Sequence, residues 1–215
     1  MAKRLIALCI MLSAMVSFAL AAYVKSTMHS LPDLDQIDGY RYVCEGSYRH
    51  LYTHDAKGLE DLMENSDAVV LAKTDDAGVL KARSIKKQIH VIERIKGDTE
   101  DYLAYYEPVY LMHDHSIITD RGYLPMLPGH EYLLFLKEVK NPEDETCLYY
   151  PVSSDIGKYE KGKKATLWQY DESITYRDVK EEAVYLVEGS DFAQDMQERV
   201  DLYNKICDEM EDLWR

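Results

Sequence analysis

The sequence predicts a mainly β domain with helices at its ends: a five- to six-stranded β-barrel, a short N-terminal helix and a long C-terminal amphipathic helix. Three observations lead there. Short apolar runs bounded by turn residues recur between Ala68 and Tyr170, which is the pattern of β-strands. One of them, Tyr132–Leu136 in Gly129–Lys137 (GHEYLLFLK), is entered from the turn-marked Leu124–Pro128. Five apolar residues are too few for a surface helix and read as a central strand buried on both faces. After Ser190 the apolar period changes to three and four residues, the spacing of a helix face.

The chain opens with a leader, residues 1–25. Lys3 and Arg4 precede Leu5–Val24, which carries no charge, and Lys25 closes the run. It reads either as a cleaved signal peptide with Ala19-Leu20-Ala21 as the small-x-small site, or as an uncleaved signal anchor. Basic residues ahead of the run keep its start in the cytoplasm, so both readings export the rest. The expected location is extracellular or membrane-anchored facing outside. Cys9 follows Leu8 rather than a small residue, which argues against a lipoprotein.

Residues 26–54 are polar and without period, and read as a linker in which Tyr40–Leu51 lies extended on the domain. Asp55–Asp67 predicts a short helix, with Asp55 as N-cap and Leu59, Leu62 and Met63 on one face. Ala68–Ala72 starts the first strand. Ser84–Lys96 is a long strand with Ile92 out of step, at a bulge. Asp101–Met112 is a strand region in which Pro108 marks an edge or a bulge. His113–Tyr123 reads as a polar loop. Thr146–Val152 and Ala165–Tyr170 read as strands with the turn-rich Asp155–Lys164 between them, and Val179–Val187 as either strand or helix start. Residues 55–188 thus form the barrel domain and residues 189–215 the helix, on which Phe192, Met196, Val200, Tyr203, Ile206 or Cys207, Met210 and Leu213 or Trp214 make one face.

The chain has 215 residues, enough for one domain with a real core. Its formal charge is −14. Such a surface repels phosphate backbones, so no nucleic-acid partner is expected, and membrane contact only through the N-terminal segment. Tyrosine is abundant (18) and phenylalanine scarce (3). Outside the leader stand Cys44, Cys147 and Cys207. They allow one disulfide and one free thiol, or three buried thiols.

Three stretches together resemble a known family: Ser66-Asp67 opening the strand Ala68–Leu71, the strand end Val91–Asp98 (VIERIKGD), and Pro125–Leu136 (PMLPGHEYLLFL). They resemble exported bacterial proteins whose core is similar to the N-terminal domain of tissue inhibitors of metalloproteinases, the netrin-like OB barrel. The resemblance covers roughly Leu59–Tyr170 and implies an OB-type fold and export. The animal inhibitors begin at a zinc-chelating cysteine within a dense disulfide framework. Neither Met1 nor Ala22 is a cysteine, so zinc chelation and its residues do not carry over.

Chemical candidates are few. His50 and His54 stand four apart, but no helical period supports a shared face. His113 and His115 would point the same way in extended chain and converge on zinc or copper, with Asp120 or Glu131 adding a carboxylate. The polar-loop reading of that stretch competes. Ser153-Ser154-Asp155 lacks a nucleophile elbow. No phosphate-binding glycine loop, CxxC motif or paired carboxylate stands out, so no cofactor and no enzymatic activity are expected. Tyr102, Tyr105, Tyr106 and Tyr110 crowd one strand region and Tyr149-Tyr150 another. Exposed, they would stack on a sugar or hold an extended peptide. Buried, they would simply fill the barrel. The leading expectation is a binding or interaction module with a protein or carbohydrate partner outside the cytoplasm. A metal-binding protein or metal-dependent enzyme using His113 and His115, and a loop-mediated protease inhibitor, are the alternatives.

Overall fold

A computed structural model describes residues 15–20, 23, 34–44, 55–81, 83–140, 147–169, 171–182, 185–188 and 193–211. The chain divides into two compact units, Met1–Leu31 and Pro32–Arg215. In the first, residues 15–20 and 23 are helical, and Met15, Val16, Phe18, Leu20 and Tyr23 are exposed. Among the described residues no helix is long and apolar enough to cross a membrane. Cys9, Ala21, Ala22, His50, His54, Thr146, Tyr170, Ser190, Phe192, Leu213 and Trp214 lie outside the described residues.

The second unit starts with a 3-10 helix, Leu34–Gly39, and strand β1, Arg41–Cys44. Helix α1 (Leu59–Asn65) leads into β2 (Ala68–Thr74), β3 (Val79–Lys81) and β4 (Ser84–Lys96). Then come β5 (Tyr102–Tyr106), β6 (Val109–Leu111) and β7 (Ser116–Thr119). β8 (Glu131–Lys140), β9 (Cys147–Pro151), β10 (Lys158–Glu160) and β11 (Thr166–Gln169) follow. Helix α2 (Tyr176–Val179), β12 (Tyr185–Glu188) and helix α3 (Ala193–Glu209) complete the unit.

Strands β8, β2, β4, β5 and β9 are hydrogen-bonded in that order, and β9 pairs back onto β8. This closes a five-stranded barrel in which only the β5–β9 pair is parallel. It is an OB-type barrel, and closure leaves its strands no open edge. β3 extends β4 as a hairpin and β10 flanks β8.

β8 is buried on both faces, as its unbroken apolar run requires. Tyr132, Leu134 and Leu136 face the barrel interior with Ile89, Val91, Leu103 and Tyr105. Leu133 and Phe135 face outward, under Leu62 of α1 and Met196, Val200, Tyr203 and Ile206 of α3. The bulge expected at Ile92 is present: Leu71 opposes Glu93 and Ala72 opposes Val91, so Ile92 has no opposite residue. A second bulge passes over Ile95 in the same way.

Several expectations are corrected. α1 begins at Leu59, and Gly58 rather than Asp55 stands at its N-cap without a side-chain bond. Asp55 instead receives Arg121 Nη1 at 3.1 Å. The passage read as a linker contributes residues 34–44 to the folded unit. Tyr40 and Tyr42 are core there, because β1 pairs in parallel with β7. Asp101–Met112 is two strands broken at Glu107-Pro108, with β5 in the barrel and β6 in a separate β1-β7-β6 sheet. The polar loop His113–Tyr123 contains β7, and Ser116–Tyr123 is buried throughout. Asp155–Lys164 holds the buried strand β10. Within Val179–Val187 the end of a helix and the start of a strand both occur.

α3 is clamped to the barrel by charge as well as by its apolar face. Arg199 Nε and Nη2 donate to Asp155 at 2.6 and 2.8 Å, and Nη1 donates to the Ala56 carbonyl at 2.9 Å. Arg121 Nη1 adds a contact to Asp155 at 3.2 Å. Burial pushes the Asp155 carboxyl up, but the Arg199 hydrogen bonds and charge prevail and hold it below the usual range. The fold needs that carboxylate ionised, so its contribution is present above the unfolded pKa and is lost as pH falls through the folded one.

Gly97 ends β4 at φ +81, and a Cβ there would meet the Asp67 carbonyl oxygen at 2.6 Å. Gly97→Ala is expected to cost about 2–3 kcal/mol, read as a lowered urea midpoint with an unchanged slope.

Candidate functional site

The outer wall of the barrel is not uniform. One part is covered by α1 and α3. Elsewhere on the outer wall, β3, β4, β5 and the end of β8 carry the exposed side chains Val79, Ile92, Tyr102 and Val139. Strand alternation decides which side chains reach it. On β5, Leu103 and Tyr105 point inward, so Tyr102, Ala104 and Tyr106 point outward. On β9, Tyr149 is inward, and Leu148 and Tyr150 are outward.

Tyr102 is 54% exposed. Its ring stacks on His90 of the paired strand, with centroids 5.0 Å apart and planes at 20°. Ile92 follows His90 on the outward side by the same alternation and is exposed. At the rim, Arg94 donates to Asp101 at 2.5 Å and to the Thr99 carbonyl at 2.8 Å. The Arg94 hydrogen bond and charge hold the Asp101 carboxyl below its usual range.

The tyrosines therefore part ways. Tyr102 is exposed, and Tyr106 and Tyr110 are half-buried, Tyr110 on β6 in the other sheet. Tyr105 is fully buried, so it is withdrawn from the binding set. Its hydroxyl lies 2.8 Å from that of Tyr123.

Inside the barrel end lies a polar network that sequence reasoning missed. Glu107 accepts the Met126 N–H at 2.8 Å and the Tyr123 hydroxyl, and faces Lys87 Nζ at 3.3 Å. Lys87 donates to the Met126 carbonyl and Lys158 to the Leu124 carbonyl. Lys158 Nζ also sits 4.3 Å from the centre of the Tyr123 ring and 5.1 Å from that of Tyr132, a cation–π arrangement. All these side chains are buried, so the network fastens the segment Asp120–Met126 rather than meeting a substrate. Its only trace in the sequence is lysines at inward positions of β4 and β10.

The histidine pair does not form as expected. His113 and Asp114 occupy a turn, and His115 takes φ 60, so the chain is not extended and the two rings do not share a side by alternation. His115 packs edge-on against Tyr40, with centroids 5.1 Å apart. Asp120 receives the Ser154 hydroxyl at 2.6 Å, and Glu131 is exposed on β8. Among the described residues no group of three or more His, Cys, Asp or Glu is placed to hold a metal. Ser153 donates to Asp155 at 2.7 Å, within the α3 clamp.

Of the two arrangements the sequence allows, the structure has the one without a disulfide: Cys44, Cys147 and Cys207 carry thiols and are half-buried. Cys147 donates to Glu138 at 3.2 Å, and that bond raises its pKa. Burial pushes Cys207 up to about 12. Neither is poised as a thiolate nucleophile.

No protein-family model matches the chain, and no curated protein matches it. The functional reading therefore rests on residues and geometry alone.

The buried network fixes a pH profile. Burial lowers the Lys158 ammonium to about 8, against about 10.4 in an unfolded chain. Between those values the unfolded chain binds the extra proton, so stability rises with pH. Burial also holds the Tyr42, Tyr105 and Tyr123 hydroxyls well above their ordinary range. Above about pH 10 the unfolded chain loses protons that the fold retains, and stability falls. Denaturant unfolding is expected to peak near about pH 10. Lys158→Met should flatten the rise from about pH 8 and leave the alkaline fall.

Proposed function

We propose that this chain is an exported, non-enzymatic binding module of the netrin-like OB type, working outside the cytoplasm through the exposed wall of its barrel around Ile92 and Tyr102. One observation carries the reading. The exposed large hydrophobic side chains of the second unit, among the described residues, are Val79, Ile92, Tyr102 and Val139. They stand on β3, β4, β5 and β8; Ile92 and Tyr102 stand together, since Tyr102 pairs with His90, two residues before Ile92, and both point out of the barrel. Clustered exposed apolar groups mark interaction surfaces, whereas scattered ones mean nothing. β4 and β5 are the second and third strands of the barrel, the face that OB folds use for binding.

The leader supports export, and a net charge of −14 weighs against nucleic acid. His113 and His115 supply no comparable constellation, and the buried lysines and glutamates are engaged with one another and with backbone.

A benzophenone side chain placed at Tyr102 in the native cells, then irradiated, is expected to give a discrete covalent adduct. The same group at Asp201, exposed on α3, should not give it. Equal labelling from both positions, or none from position 102, would remove the reading.

A further inference from the structure

We infer that the leader is not removed: it stays on the chain as a membrane-spanning helix and tethers the folded unit to the outer side of the bilayer. The inference rests on the export reading above and decides between the two forms of leader that the sequence allows.

The described part of the leader, residues 15–20 and 23, is helical. Met15, Val16, Phe18 and Leu20 are 58–81% exposed, and Ser17 and Ala19 between them are exposed too. At about 100° per residue, six successive residues pass right round a helix. The apolar surface therefore turns to every side, interrupted only by the small hydroxyl of Ser17. A helix that is apolar all round needs apolar surroundings on all sides. The exposure of these side chains shows that no described part of the protein supplies them. A bilayer does.

Length and flanks select a span. The uncharged run Leu5–Val24 holds about 20 residues, and a helix of that length measures about 30 Å, the thickness of the hydrocarbon core. The apolar part of a cleaved signal is about 7–15 residues. A helix lying flat in the interface carries a charged face, and this run has no charge at all. Lys3 and Arg4 stand before it and Lys25 after it, so charged groups meet the headgroups at both ends. Tyr23 adds, near the outer end, the half-apolar ring that such boundaries favour.

The cleavage site is also withheld. A peptidase takes its substrate as extended chain, with the backbone groups beside the bond free to pair with the enzyme. In a helix those groups are bonded to the helix itself. Ala19 and Leu20, two of the three residues of the small-x-small site, are helical, and so is Tyr23 beyond it. Neither Gly nor Pro occurs between Leu5 and Leu31 to break that helix, and alanine and leucine are among the strongest helix formers.

Intact mass of the full chain, made with its leader and recovered from membranes washed in alkaline carbonate, tests this. The whole-chain mass of 24.9 kDa is expected in the washed membranes, with the folded unit lost to protease added outside spheroplasts. Ser17→Pro breaks the helix ahead of the site. It is expected to raise the soluble chain beginning at Ala22 at least tenfold. An unaltered chain that begins at Ala22, or a whole chain washed out by carbonate, would overturn the anchor. A Ser17→Pro chain that stays whole would overturn the helix as what withholds the site. A whole chain in washed membranes whose folded unit is cut only after the spheroplasts are opened would overturn the outward placement, and with it the export reading, while the span stands.

Discussion

Glu107 is the constraint on which the rest of the unit depends. It stands between β5 and β6, where the chain leaves the barrel for the second sheet, and it is buried. Its backbone is fixed on both sides: its N–H donates to the Ile85 carbonyl at 3.0 Å, and its carbonyl accepts the Ser84 hydroxyl at 2.7 Å. Its carboxylate gathers Lys87, Tyr123 and the Met126 N–H. Removing one partner of such a buried pair leaves an uncompensated charge at a cost of about 3–5 kcal/mol. The geometry therefore has little freedom to drift. Through Tyr123, Leu124 and Met126 the same group joins the core under the β1-β7-β6 sheet to the core of the barrel.

The fastened segment explains how a small barrel is closed at one end without a helix. Tyr123–Met126 runs without regular structure and is buried, yet its polar groups are met: Lys158 takes the Leu124 carbonyl, Lys87 the Met126 carbonyl, and Glu107 the Met126 N–H. Buried irregular backbone is tolerable only on those terms. With the interior filled by side chains and this end sealed, the outer wall is the surface to which the proposed binding role is assigned. α1 and α3 claim one side of that wall. Asp155, held by Arg199 and Arg121, anchors α3 there. Elsewhere the wall keeps Tyr102 and Ile92 in solvent.

Much of this was legible in the chain, for physical reasons that differ by element. Tyr132–Leu136 is apolar without a break because both of its faces are buried. Ile92 broke the apolar alternation of β4, and a bulge is there. The amphipathic period of α3 marked its buried face correctly. Arg199 lies on the same helix among acids and glutamines, and only the fold places it against Asp155. β7 is hidden by its length: four residues, Ser116–Thr119, gain strand geometry from β1, more than 70 positions away in the chain. The His113–His115 reading assumed extended backbone where the chain turns. The tyrosine cluster was visible, but its division into an inward Tyr105 and an outward Tyr102 needed the strand register. The polar network was not readable, since lysines at inward strand positions look like solvent contacts until the core around them is known.

Amide hydrogen exchange resolved at single residues tests the central claim most directly. Met126 and Leu127 lie outside any strand, and their N–H groups donate to Glu107 at 2.8 Å and to the Tyr132 hydroxyl at 2.9 Å. If the network seals the barrel end, these two amides exchange as slowly as Ile89 and Val91 in β4. In Glu107→Ala they are expected to speed up by at least about a hundredfold, with the α3 amides little changed. Exchange of Met126 and Leu127 at the rate of exposed loop amides in the unaltered chain would contradict it.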